Sequence, residues 1–223
     1  LAGDRVGGNE RDGRLVVGDA DHAGGDGAEA VGEVADEGDA DKLGVLIARN
    51  IAKAHPGAQF VVDVKSTGLY HTDPVLLSLG AKTDYFKTGH SYIKRRTTQL
   101  GAIAGFEKSG HFFFRQPYGL GYDDALVSAL AVLDMLENNP TQSMADLVAS
   151  LPHTYGSPTM SPHCPDEDKY GIIDAITAHF HQLASQNATL CGQSITSVNT
   201  VNGVRVTVAD GTWGLIRASS NKP

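Results

Sequence analysis

GFEKSGHFFF, residues 105–114, decides how this chain is read. It runs as a strand into three phenylalanines, yet a glutamate, a lysine, a serine and a histidine crowd its centre. Unpaired charge is costly in a buried strand. In an extended chain Glu107, Ser109 and His111 fall on one side, with Lys108 and Gly110 on the other. Two readings stay open from this segment alone. Either something polar faces the row of three, or the segment is a solvated edge or turn.

Upstream, DKLGVLIARNIAKAH places Leu43, Leu46, Ile47, Ile51 and Ala54 near helical spacing, and Pro56-Gly57 stops the helix. QFVVDV (59–64) reads as a short buried strand, followed by a loop and a short helix ending at Gly80. AKTDYFK (81–87) is a second strand, TGHSYIKRR a loop entering a helix, and LGAIAGFE (100–107) a third strand. HFFF is a fourth, and GYDDALVSALAVLDMLENN (121–139) is a long amphipathic helix with aspartates at its start, where the macrodipole favours them. Strands alternating with helices predict an α/β domain, at least partly parallel, over residues 42–140.

Residues 141–165, rich in Pro, Ser and Thr with one short helix near Met144–Ser150, read as a linker. DEDKYGIIDAITAHFHQLASQ then makes a helix with Ile172, Ile173, Ile176 and Phe180 on one face. TSVNTVNGVRVTVADGTWGLIRAS predicts a three-stranded meander with tight turns at Asn202-Gly203 and Asp210-Gly211. Residues 166–223 are therefore expected to form a smaller α+β domain with an antiparallel sheet.

Charge is uneven along the chain. Residues 1–41 hold 12 acidic residues against Arg5, Arg11 and Arg14, a balance of -9, while the rest carries 15 basic and 14 acidic residues, or +1. With ten glycines and no aromatic or isoleucine, this segment has little to bury against the entropy of ordering it. A flexible acidic arm over 1–41 is expected, with an Asp-rich metal loop as the sharper alternative. The formal charge of -8 argues against a nucleic-acid partner. No apolar run reaches membrane-spanning length, and no signal peptide opens the chain, so a cytoplasmic protein with no membrane partner is expected. Cys164 and Cys191 have neither metal-knuckle nor disulfide-framework spacing.

Polar clusters recur at the predicted strand ends: DVKST (63–67), KTGHS (87–91) and the centre of GFEKSGH. Ligands of open α/β sheets bind at such ends. RASSNKP (217–223) follows the last meander strand, and its arginine, hydroxyls and amide could cradle a phosphate or form a plain polar tail.

DVKSTG, KTGHSYIK, GFEKSGHFFF, GYDDALVSAL and DGTWGLIRASSNKP, in this order and spacing, resemble the phosphomannomutase/phosphoglucomutase branch of the α-D-phosphohexomutases. The resemblance covers roughly residues 42–223 and implies a three-layer α/β/α domain followed by most of a phosphate-binding fourth domain. It implies an isomerase that moves a phosphoryl group between the 6- and 1-positions of glucose or mannose phosphate, through a phosphoserine and a bisphosphorylated sugar, with Mg²⁺ on an aspartate-rich loop. By that resemblance Glu107 and Ser109 grip neighbouring ring hydroxyls, His90 and His111 lie near the reacting oxygen, and Lys65 faces the cleft. Arg217, Ser219, Ser220 and Asn221 would hold the phosphate that is not being transferred.

The resemblance thins at the start of the chain. The phosphoserine loop is absent, and Glu37-Gly38-Asp39-Ala40-Asp41-Lys42 only approximates the metal loop, leaving Asp36, Asp39 and Asp41 as the candidate Mg²⁺ ligands. The expected chain is thus a fragment carrying sugar and phosphate recognition, whose own turnover is doubtful. The alternative is a non-catalytic sugar-phosphate binding module.

Overall fold

A computed structural model describes residues 12–18, 22–23, 39–157 and 159–218. The first domain is built on four strands: β3 (Gln59–Asp63), β4 (Lys82–Phe86), β5 (Ala104–Phe106) and β6 (Phe112–Phe114). Their order is β4-β3-β5-β6, with β3 parallel to both neighbours and β6 antiparallel to β5. Around them lie α1 (Asp39–Ala54), α2 (Leu69–Thr72), α3 (Pro74–Ser78), α4 (His90–Leu100), α5 (Ala125–Glu137) and α6 (Met144–Ala149). Strands covered on both faces read as continuous apolar runs. Phe60, Val61 and Val62 are accordingly all buried, as are the three phenylalanines of β6.

Phe106 centres the larger core cluster. Its ring lies 5.3–6.0 Å from those of Phe60, Tyr70, Phe112 and Phe114. From α1 come Val45, Leu46, Ile47 and Ile51; from α5 come Ala131 and Met135. On the other sheet face a smaller cluster joins Val61, Ile93, Ala102 and Phe113 under α4. Each large side chain so buried contributes about 1.5–3 kcal/mol. Arg49 of α1 ties the helical layer together, donating to both carboxylate oxygens of Asp73, the N-cap of α3, and to Ser150 Oγ.

Two details depart from the sequence reading here. α5 is capped by Asp124 and buries one face, but Leu126, Leu130 and Leu133 point outward, because ALVSALAVLDMLE is apolar all round and one sheet covers only one side. The segment 141–165 is not wholly a linker. Leu147 of α6 and Leu151 pack into the first core, so that domain continues past residue 150.

The second domain holds α7 (Lys169–Ser185) and a six-stranded antiparallel sheet. Its strands are β1 (Asp12–Gly18), β8 (His163–Pro165), β9 (Thr189–Leu190), β10 (Gln193–Asn199), β11 (Val204–Val208) and β12 (Trp213–Ala218), ordered β8-β1-β12-β11-β10-β9. A separate pair joins β2 (His22–Ala23) to β7 (Thr154–Tyr155). The meander β10-β11-β12 is as expected, with Gly203 and Gly211 at positive φ in its turns.

The structure differs from the expected acidic arm over 1–41. DGRLVVG forms β1, pairing Leu15–Gly18 with Ala218–Leu215 on one side and Asp12–Arg14 with Pro165–His163 on the other. Its apolar run Leu15-Val16-Val17 has strand propensity that the segment's average composition hid. At the other end of the segment, α1 already begins at Asp39. On α7, Ile173 is buried and Ile172 is 38% exposed, so the four apolar residues do not share one face. Among the described residues, no helix is long and apolar enough to cross a membrane.

Candidate functional site

The carboxyl ends of β3, β4 and β5 point the same way because the three strands are parallel. Each is followed by one of the polar clusters: Lys65 after β3, His90 after β4 and Glu107 after β5. His111 immediately precedes β6, which runs back beside β5, so it joins the same edge.

Residues 107–111 form a closed turn rather than extended chain. The Glu107 N–H donates to His111 O and the Gly110 N–H to Glu107 O, each at 2.9 Å, with Gly110 at φ +88°. The period-2 expectation therefore misplaces the cause. The turn aims Glu107 inward, where it is 5% exposed, and leaves Ser109 and His111 exposed. Glu107 Oε1 accepts from the Gly89 N–H at 3.0 Å, and Oε2 lies 3.5 Å from the Ser109 hydroxyl that donates to it. Gly89 sits at φ +128°, a conformation open to glycine. Burial, then the charge of Asp63, raise the Glu107 pKa, against lowering by the Gly89 N–H, His111 and Lys65. A poorly solvated carboxylate of this kind gains when hydroxyls donate to it.

Asp123 joins the two histidines. Its Oδ2 lies 2.7 Å from His111 Nδ1 and 3.4 Å from His90 Nε2. With Nδ1 donating to the carboxylate, His111 keeps Nε2 as its basic nitrogen. Both rings are about half exposed, so a ligand can reach them.

Asp63, at the end of β3, is fully buried. Its Oδ1 accepts from the Lys65 N–H and the Ser66 hydroxyl, each at 3.0 Å, and Lys65 Nζ lies 3.7 Å from its Oδ2. The same charge reaches Arg217 on β12, where it opposes the lowering that burial imposes on the guanidinium pKa. Arg217 Nε is buried with no hydrogen-bond partner among the described residues. A cation held in this way is prepared for an anion.

The two domains meet behind this edge. Val64, Trp213 and Leu215 form a small shared core. Arg205 of β11 donates to Val64 O and Ser66 O, and Asn199 Nδ2 donates to Tyr85 O. Lys108, half-buried, has its pKa lowered by burial and by the charge of Arg205.

The structure thus brings together Lys65, His90, Glu107, Ser109 and His111, with Arg217 across the domain junction. Ser219, Ser220, Asn221 and Asp36 lie outside the described residues. Of the remaining Mg²⁺ candidates, Asp39 starts α1, and Asp41 is buried with Oδ2 accepting from the Thr67 N–H. Among the described residues no three His, Cys, Asp or Glu side chains cluster as a metal site would require. The described residues do not fit the ion.

Sequence reasoning missed Asp63, Asp123 and Arg205. Asp63 and Arg205 carried a signal, each being a lone charge inside an apolar strand, QFVVDV and GVRVTV. Asp123 was legible only as a helix-start residue.

A family profile described as Phosphoglucomutase/phosphomannomutase, alpha/beta/alpha domain III, matches residues 39–155. A phosphomannomutase/phosphoglucomutase of Pseudomonas putida is 35% identical over 183 residues, 82% of this chain and 36% of that protein. A phosphoglucomutase of Neisseria meningitidis is 31% identical over 203 residues, covering 84% of this chain and 41% of its own length. Among solved structures, a phosphoglucomutase/phosphomannomutase family protein of Burkholderia thailandensis superposes with a TM-score of 0.58 at 25% identity, over 81% of this chain and 38% of that one. The chain thus spans well under half the length of these relatives.

Proposed function

The chain belongs to the phosphoglucomutase/phosphomannomutase family, and from that premise we propose that it supplies the sugar and phosphate recognition of a phosphohexomutase. The reaction is the interconversion of hexose 6-phosphate and hexose 1-phosphate through a phosphoserine and a bisphosphorylated hexose. Glu107 accepts hydrogen bonds from two adjacent ring hydroxyls, and Ser109 donates to one of them. Lys65 neutralises charge in the cleft. His111, held by Asp123, presents Nε2 to the reacting hydroxyl and takes or returns its proton, with His90 as an electrostatic neighbour. Arg217 holds the phosphate at the far end, where Ser219, Ser220 and Asn221 complete the cradle. Since the sugar must reorient between half-reactions, one anion site that accepts a phosphate on either end of the hexose serves both.

The observation that carries this reading is the convergence of Lys65, His90, Glu107 and His111 on one sheet edge, together with the half-buried cation Arg217, whose Nε is buried with no hydrogen-bond partner among the described residues. Calorimetric titration with glucose 6-phosphate and mannose 6-phosphate tests it. Wild type should bind, and Arg217→Ala should weaken binding by about 2–5 kcal/mol, as for a desolvated charge contact. Equal affinity in the two proteins removes Arg217 from the site. The chain by itself is expected to show no turnover, because phosphoryl transfer here needs a donor serine in a loop that this sequence lacks. A coupled assay for glucose 6-phosphate from glucose 1-phosphate, with Mg²⁺ and catalytic glucose 1,6-bisphosphate, checks this.

A further inference from the structure

We propose that Arg205 is a positioning residue: it sets Lys65 in the cleft and thereby makes sugar-phosphate binding depend on docking of the second domain. The sugar-phosphate half of this inference rests on the function proposed above; the positioning half does not. Arg205 is 4% exposed. One of its terminal nitrogens donates to both Val64 O and Ser66 O, each at 2.7 Å. Those two carbonyls bracket Lys65. The guanidinium lies between two rings, 4.0 Å from the centroid of Tyr85 and 3.6 Å from that of Trp213. Tyr85 belongs to β4 of the first domain and Trp213 to β12 of the second, so one planar cation joins both bodies.

The same turn is held from its other side. Lys65 N–H and Ser66 Oγ donate to Asp63 Oδ1, Ser66 N–H to Asp63 O, Thr67 N–H to Asp41, and the Tyr85 hydroxyl to Thr67 O. Arg205 therefore closes a turn already gripped by the first domain. Removing it frees the carbonyls on each side of Lys65 and leaves the backbone of β3 untouched. A lysine cannot substitute, because a point charge on a flexible stem neither stacks between two rings nor keeps a planar head between two carbonyls. The charge of Arg205 also acts on Lys108 in the Glu107 loop, lowering its pKa after the larger effect of burial.

Three measurements on the full chain decide the matter. Arg205→Lys should raise the glucose 1-phosphate dissociation constant about tenfold. In a Lys65→Met background the same substitution should cost less than about threefold, because a residue acting through Lys65 loses its effect once Lys65 is gone. Equal losses in both backgrounds, or no loss in either, overturn the proposal. Amide hydrogen exchange reads the positioning without any ligand. In Arg205→Lys, exchange at Lys65, Ser66 and Thr67 should speed up at least about tenfold, while the β3 amides of Val61 and Val62 stay within about threefold of wild type. Unchanged exchange at 65–67 overturns it, as does uniform loss across β3. Where wild type itself fails to bind glucose 1-phosphate, the proposed function falls and the exchange result alone judges Arg205. Trp213→Leu, which removes one stacked face and keeps the guanidinium, should give the same local pattern at smaller amplitude if Arg205→Lys does not fold.

Discussion

The two domains solve the problem of rigidity differently. In the first, β3 is buried on both faces and the aromatic cluster around Phe106 is enclosed by α1, α2 and α5. In the second, β10 has no buried residue, and α7 buries only Lys169 and Ile173. The cluster holding Trp213 and Leu215 is shared with Val64 of the first domain. Lys65, His90 and Glu107, the groups proposed to face the sugar, therefore stand on a self-sufficient sheet edge. Arg217 stands on a thinner body that takes part of its placement from its neighbour. Under the proposed function this division assigns the ring of the ligand to the first surface and its distant phosphate to the surface docked against it.

The largest effect should come from the first core. Phe106→Ala should destabilise the chain by about 3–5 kcal/mol, the usual cost of emptying a site bordered by several aromatic rings. Chemical denaturation measures it, and a loss below about 1 kcal/mol would break the contrast, since Phe106 would then not anchor the first domain. Next comes the turn beside Arg217. Gly203 is at φ +83°, and a Cβ there would meet Ile216 O at 2.3 Å and the Arg217 Cα at 2.7 Å. Gly203→Ala should cost about 1–3 kcal/mol through backbone strain and displace β12. The contrast sharpens if phosphate affinity falls while the exchange protection of β3 and β5 is unchanged; loss of protection in the first domain would show that the two bodies unfold as one.

Glu107→Gln should act in the opposite direction on stability. Because burial and Asp63 raise the Glu107 pKa, the folded chain keeps a proton that the unfolded chain has already lost, over the window from the ordinary carboxylate value up to the raised one. Stability contributed by this group is present below that window and falls as pH rises through it. The glutamine variant has no proton to lose. It should therefore match wild type at acid pH and melt at slightly higher temperature near neutrality, while losing sugar-phosphate affinity. A melting difference that grows toward acid pH instead would refute the assigned direction.

Much of the first domain could be read from local pattern. QFVVDV, AKTDYFK and HFFF lie within one or two residues of β3, β4 and β6, because fully buried strands leave continuous apolar runs and the turns between them are marked by glycine. The third strand was read too long, since Leu100 ends α4 and Gly101 caps it in the left-handed conformation. β1 was missed for the converse reason: seven strand residues were averaged into a glycine- and aspartate-rich surround.

Of the site, the sequence by itself determined which chemistry was present and at which strand ends it would lie. Lys65, His90, Glu107, Ser109 and His111 are all adjacent to strands whose direction follows from the alternation of strands and helices. What only the tertiary structure decided is how those groups are held. Asp123 reaches His90 and His111, which stand 33 and 12 positions earlier in the chain. Arg205 grips carbonyls 141 and 139 residues away. Such partners share no periodicity with the residues they position. They are chosen by the geometry of packed bodies, where a buried charge persists only with partners brought to it by the fold.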